Sequence, residues 1–393
     1  MLTPRAFRRE CHADNIAMLT PRARMLAAYE GRPGDTIPVA PEFWYYIPAR
    51  LLGVSMIELE LEIPHWQALQ QTFRHYGSEG WGIVAPGAPP VGKTQCTQKW
   101  LAEGRLEETT TVVVGGRSLS SRRWLDRIEP SWMVERFIKD FERDWPAYAE
   151  LAFIPPAALD WQPVQQALDA VGEDYLLEVY LGDPFIDFAG GQRQGGLEQV
   201  IRDIMDHPLE MAALQERYID YLVQKTRAVF RYTRARSVFV ASIWSSLSLL
   251  SPAFWRKWDR PILQAVVQAA HECGGLVHHH FHGRCWKALP DLLSLGLDCI
   301  CPFERPPGGD VTDLGALAGL MDGRVAFNGN VHTVEALIRG SPEDVRRQVD
   351  EILTAFQGSP RLIIGTGDQV GWETPDENIF AMIEAARRKT SQS

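Results

Sequence analysis

Residues 276–301 read LVHHHFHGRCWKALPDLLSLGLDCIC. The first five, Leu276 to His280, fit a short strand. Residues from about 286 to 295 carry apolar positions at helical spacing, and Cys299-Ile-Cys301 is a second short strand. A strand, a helix and a strand within so short a span form a parallel pair joined by a right-handed crossover.

Working outward, the same alternation recurs. Strand candidates lie at 36–40, 82–85, 176–181, 238–241, 325–327 and 362–364. Helical patterns fall at 22–29, about 197–230, 253–272, 311–320, 343–356 and 376–388. Thr20-Pro21 supplies an N-cap and a proline at the first helical position, and Thr374-Pro375 opens the last helix. Eight strands, mostly separated by helices, predict a (β/α)8 TIM barrel; an open doubly wound sheet is the rival. The exception is 97–124, whose run Glu107 to Val114 predicts a β-hairpin insertion in the N-terminal half. No Pro/Gly/Ser linker divides the chain. Residues 18–393 are therefore expected to form one barrel domain, with 1–17 as an N-terminal arm. MLTPRA occurs twice, at 1–6 and 18–23, so Met18 is a candidate start.

The chain has 393 residues, 45% of them hydrophobic and 23% charged, with a net charge of -10. That balance offers no basic field for nucleic acid or an anionic membrane. Six cysteines spread through so long a chain point to reduced thiols rather than a disulfide framework. The first residues lack the apolar run of a signal peptide, and no window approaches ~18 apolar residues. A cytoplasmic protein without nucleic-acid or membrane partners is expected.

Four of the ten histidines lie within 278–282. Side chains alternate along a strand, so His278, His280 and His282 share one face and His279 takes the other. His280 and His282 fall nearest the C-terminal mouth, where barrel enzymes place their sites. Neutral imidazoles two residues apart can reach one ion. His278 sits deeper, as a supporting group. Glu304 and Asp368 end later strands and are candidate carboxylate ligands. Each has a plainer alternative: hydrogen-bonded rim histidines, a salt bridge from Glu304 to Arg305, a turn cap at Asp368. Candidate substrate contacts are Glu42, Trp44 and Tyr46 after the first strand, Asn330 after the seventh, and Gln369 beside Asp368. Packing beneath a loop accounts equally for the aromatics, and Asn-Gly turn chemistry for Asn330. No catalytic residue is assigned.

The order of His280-x-His-Gly283, Leu289-x-x-Leu-Leu-x-x-Gly-Leu-Asp298, Gly329-Asn-Val331, Ser341-Pro-Glu-Asp-Val345 and Thr374-Pro-x-Glu-Asn-Ile-x-Ala-Met382 resembles the uroporphyrinogen decarboxylase superfamily. Thr20-Pro-Arg-Ala-Arg-Met-Leu26, Asp35-Thr-Ile-Pro-Val39 and Ser251-Pro252 fit the same pattern. The resemblance spans about 18–388 and implies a closed barrel with its site at the C-terminal mouth. True decarboxylases of the superfamily carry an arginine-rich segment for substrate carboxylates. Here the matching stretch is Pro41-Glu-Phe-Trp-Tyr-Tyr-Ile-Pro48, aromatic and acidic, which disfavours porphyrin decarboxylation. The cobamide-dependent methyltransferases bind zinc through His-x-Cys and a later cysteine. This sequence keeps the histidine as His280 but has His282 and Asp368 where the cysteines would lie. Such a set suits oxygen ligands better than thiolate chemistry. The resemblance thus implies a metal-dependent methyltransferase, using zinc or another divalent metal with a corrinoid-carrying partner and a small-molecule substrate. A metal-dependent lyase or decarboxylase on a small acid, and a non-catalytic binding subunit, are the alternatives.

Gly87-Ala-Pro-Pro-Val-Gly-Lys-Thr94 matches the phosphate-loop pattern G-x-x-x-x-G-K-[ST]. Pro89 and Pro90 remove two of the backbone donors such a loop needs, and 95–104 offers a short helix at best. The match is read as chance.

Overall fold

The computed structural model describes residues 18–102 and 104–390; the expected arm at 1–17 lies outside them. Eight strands form one parallel sheet: β1 (Val39–Ala40), β2 (Trp81–Val84), β7 (Leu176–Gly182), β8 (Ser237–Ser242), β9 (Leu276–Phe281), β10 (Cys299–Pro302), β11 (Ala326–Val331) and β12 (Leu362–Thr366). Their order is β1-β12-β11-β10-β9-β8-β7-β2. The first strand thus pairs with the last, Ala40 beside Gly365, as wrapping into a barrel demands. All eight strand candidates coincide with these strands.

Alternation sorts the side chains. Val277, Phe281, Ile300, Phe327 and Ile364 face the helices in the main core. Ala40, Trp81, Leu176, Phe239, Cys299, Cys301, Ala326 and Ile363 fill the lumen. Helix Pro21–Glu30, capped by the Thr20 side chain on Ala23 N–H, belongs to the lumen cluster through Met25, Leu26 and Tyr29. Glu79, buried just before β2, bridges the two end strands. Its Oε2 accepts the Val39 N–H at 2.8 Å while its other oxygen pairs with Arg24, which also binds Asp35 at 2.8 Å. Trp44 and Trp81 meet across the same seam, centroids 5.6 Å apart.

Three elements differ from the sequence expectation. The insertion is larger than a hairpin: β3 (Lys93–Ala102), β4 (Arg105–Val114), β5 (Arg117–Asp126) and β6 (Trp132–Glu135) make a four-stranded antiparallel sheet. β3 is exposed along its whole length, so no apolar alternation marks it. Its start also puts Lys93 and Thr94 on a strand, with no helix N-terminus to receive a phosphate. The long helical stretch breaks at His207 into Gly196–Asp206 and Pro208–Tyr232, because Pro208 cannot donate to the preceding turn. A second break at Asp259 separates Pro252–Trp258 from Arg260–Glu272. No helix among the described residues is long and apolar enough to cross a membrane.

Candidate metal centre

β9 turns alternate histidines in opposite directions. His279 faces outward, wholly buried, with Nδ1 3.1 Å from the Val240 carbonyl and Nε2 3.4 Å from Ser242 Oγ. Burial pushes its pKa down to about 3. His278 and His280 face the lumen. His280 is flanked by the rings of Trp81 and Phe239, each centred 5.9 Å away.

The chain leaves the strand at His282 and bends at Gly283, whose φ of 74° is left-handed. A side chain there would also meet Ser248 Oγ at 2.3 Å, so only glycine fits. The bend aims Gly283 N–H at Glu304 Oε2 (2.8 Å) and His282 Nδ1 at Glu304 Oε1 (2.6 Å). Glu304 itself follows β10 on a loop that doubles back. Val311 N–H returns to the Glu304 carbonyl at 3.2 Å, and a Cβ on Gly309 would lie 2.1 Å from that oxygen.

Asp368 arrives from β12. Thr366 Oγ1 donates to the Asp368 carbonyl (2.7 Å) and accepts Glu42 N–H (3.1 Å), fastening the loops after the last and first strands together. One ligand atom each from His282, Glu304 and Asp368 fall within 4.8 Å of one another. His280 is not part of that trio but stands beside it, its Nε2 2.6 Å from His282 Nε2. Glu42 lies behind, Oε2 4.0 Å from His280 Nδ1.

The electrostatics are those of crowded acids around two imidazoles. Burial, then the field of Asp368, pushes the Glu42 carboxyl up to about 8. Burial likewise raises Asp368, against the pull of His282. Burial disfavours charge on His282, but the hydrogen bond to Glu304 and the fields of Asp368, Glu304 and Glu42 outweigh it, raising it to about 9. Burial and the neighbouring histidines hold His280 well below its ordinary value.

The donor set fits a divalent ion. Two imidazole nitrogens and two carboxylates suit zinc or a harder divalent metal. Nitrogens on one ion at about 2.0–2.1 Å stand further apart than the present pair, so a small spreading admits it. Cys301 lies on the Nδ1 side of His280, away from this set.

The other expected contacts take up varied roles. Trp44 is half-buried, with a left-handed φ of 39° and its carbonyl 2.8 Å from His65 Nε2. Tyr46 turns its hydroxyl to Glu129 of the insertion, 2.5 Å away. Asn330 is wholly buried. Its Nδ2 donates to the Phe303 carbonyl (2.9 Å) and its Oδ1 accepts from Arg305 (3.3 Å), so its amide holds the loop that carries Glu304. Gln369 donates its N–H to Asp368 Oδ1 (2.6 Å), and its buried Oε1 has no hydrogen-bond partner among the described residues. Sequence reasoning overlooked Glu178 on β7, which reaches His278 across the lumen, and Cys301 on the adjacent β10, which reaches both His278 and His280. The available signal was a single acid inside the apolar run LLEVYLG.

Comparison with known proteins bears on the family and the fold. The family model described as uroporphyrinogen decarboxylase (URO-D) matches residues 186–389. A methyltransferase from Methanosarcina mazei matches with a TM-score of 0.65 over 94% of this chain and 99% of that one, at 17% identity, which shows a shared fold. D-psicose 3-epimerase from Clostridium cellulolyticum H10 covers 62% of this chain and 86% of its own at 8% identity, with a TM-score of 0.33, too low to inform the site. No curated protein matches the sequence.

Proposed function

The chain belongs to the uroporphyrinogen decarboxylase family, and we propose that it is a metal-dependent methyltransferase of that family, built as one barrel domain over residues 18–393. In this reading His280, His282, Glu304 and Asp368 hold a divalent cation, zinc or a harder metal. The observation that carries it is the convergence of His282, Glu304 and Asp368, from three separate strand ends, to within 4.8 Å. The bound ion supplies Lewis acidity at the heteroatom that carries the methyl group.

The chain's own residues do the rest. Trp44 and Trp81, with Phe239 below, give the pocket apolar walls and exclude water. Glu42 and Gln369 offer polar contacts to a small substrate beside the donors. The oxygen-rich set favours an oxygen- or nitrogen-linked methyl group over thiol chemistry, and a corrinoid carried by a partner protein is the proposed other party to the transfer.

Zinc titration of the purified full chain, followed by methyl transfer from a panel of O-methyl and N-methyl compounds to added cob(I)alamin, tests this. Tight binding at one equivalent and methylcobalamin formation are expected. No affinity for divalent metal would overturn the reading. Metal binding without transfer to the corrinoid would favour a lyase or decarboxylase on a small acid, the second use of such a pocket.

A further inference from the structure

Below the four donors the lumen holds polar groups that the proposed transfer does not touch. Glu178, in the middle of β7, is wholly buried, as is His278. Its Oε2 lies 2.8 Å from His278 Nδ1. His278 Nε2 lies 3.0 Å from Cys301 Sγ, and Cys301 Sγ lies 2.9 Å from His280 Nδ1. Three contacts thus run unbroken from the interior carboxylate to the ring that faces His282. The register makes this possible: Cys301 pairs directly with His280 across β10 and β9, so their inward side chains are lateral neighbours.

A carboxylate buried this deeply is costly unless its hydrogen bonds are used. Glu178 uses one oxygen, and its Oε1 has no hydrogen-bond partner among the described residues. The one engaged oxygen is the one at the foot of the chain.

We propose that Glu178, His278 and Cys301 form a hydrogen-bond relay that sets the tautomer of His280 and makes them positioning residues for the cation site. The inference rests on the cation-site reading above. To ligate through Nε2, neutral His280 must keep its proton on Nδ1. That proton needs an acceptor, and the Cys301 sulfur is in reach, whereas Glu42 at 4.0 Å is beyond hydrogen-bond distance. A thiol that accepts from His280 gives its own hydrogen to His278 Nε2. His278 then carries its proton on Nδ1 and donates it to Glu178. Three hydrogens make three bonds, and the last acceptor is a group that, ionised, only accepts. Running the order backward requires Glu178, or the Tyr29 hydroxyl at 3.0 Å, to donate to His278 Nδ1, and it leaves a hydrogen on His280 Nε2, where it blocks ligation. Tyr29, its hydroxyl 3.0 Å from His278 Nδ1, braces the same ring from helix Pro21–Glu30. Groups that fix a metal-bound imidazole in this way change metal affinity by about 10- to 100-fold when removed.

Two measurements on the full chain decide it. In the first, zinc affinity is read by competition with a chromophoric chelator. Cys301→Ala, which can neither accept nor donate, and Glu178→Gln are expected to bind about 10- to 100-fold more weakly than the parent. Cys301→Ser keeps both roles and is expected to restore most of the affinity, which a packing role for the sulfur would not predict. In the second, 15N spectra of the histidine-labelled, metal-free parent are expected to show the His280 proton on Nδ1; this needs no variant to fold. A proton on Nε2 overturns the relay. So does a folded Cys301→Ala that binds zinc as tightly as the parent, an outcome that leaves the cation site standing. A parent with no zinc affinity overturns the cation site instead, and the spectrum still decides the tautomer.

Discussion

The Nε2 atoms of His280 and His282 face each other at 2.6 Å with their rings nearly perpendicular, at 79°. Two residues apart on one strand face, they would normally stack side by side. The turn at Gly283 swings the second ring over the first and aims both at the space before Asp368 and Glu304. Each residue around that space is therefore expected to affect metal binding in its own way.

His282→Ala is expected to lower zinc affinity by more than about 100-fold, since it removes a donor that also anchors Glu304. His279→Ala should leave the affinity within a few-fold and lower Tm instead, because its ring packs outward against Val240 and Ser242. Chelator competition with parallel thermal melts checks both; equal metal loss in the two variants would refute the assignment of faces.

Asp368→Asn keeps the acceptor for Gln369 N–H and removes the charge. Zinc affinity should fall about 10-fold or more while the melting temperature stays near the parent's. A variant that loses stability but not affinity would reduce Asp368 to a turn cap.

Gly283→Ala meets two obstacles, a left-handed φ and the Ser248 hydroxyl. A loss of about 1–3 kcal/mol in denaturant unfolding is expected. Weaker zinc binding should accompany it, because the bend places both the His282 ring and the N–H that holds Glu304.

Asp259 lies at the junction of helices Pro252–Trp258 and Arg260–Glu272 and is none of the proposed donors. Its Oδ1 accepts Ile186 N–H at 2.9 Å, and burial pushes its carboxyl up to about 7. A group whose folded pKa exceeds its unfolded value of 3.8 supports the fold below that value, and the support is lost as pH rises through about 7. Asp259→Asn retains the acceptor without the charge. It should therefore gain stability over the parent as pH climbs from 4 to 8, by about 2 kcal/mol at the upper end. Urea unfolding across that range measures it, and a constant difference would refute the argument.

Much of this was legible in the chain itself. Eight short apolar runs between helices announce the parallel sheet because both faces of such strands are buried. The period of two sorts His278, His280 and His282 from His279, and strand-end position singles out Glu304 and Asp368. What stayed hidden depends on register and exposure. That Cys301 stands beside His280 is a property of how β9 and β10 pair, which neither strand carries alone. Glu178 resembled a polar interruption because inward and outward positions of a buried parallel strand look equally apolar. β3 escaped notice since a fully exposed edge strand has no hydrophobic rhythm. Tyr46 and Asn330 were rightly located near strand ends, yet their polar atoms are taken by Glu129 and by the Phe303 and Arg305 loop.

The pairing of β1 with β12 joins the two far ends of the chain at the candidate centre. The imidazoles and Glu304 come from one stretch of about two dozen residues, so that half of the cluster can gather as soon as its neighbours dock. Glu42 and Asp368 sit 326 positions apart, and their loops are joined by Thr366 and by the Val370 N–H on the Glu42 carbonyl. The candidate centre therefore spans the place where the two ends of the strand sequence meet, and Asp368 stands beside the donors only while β12 holds its place against β1.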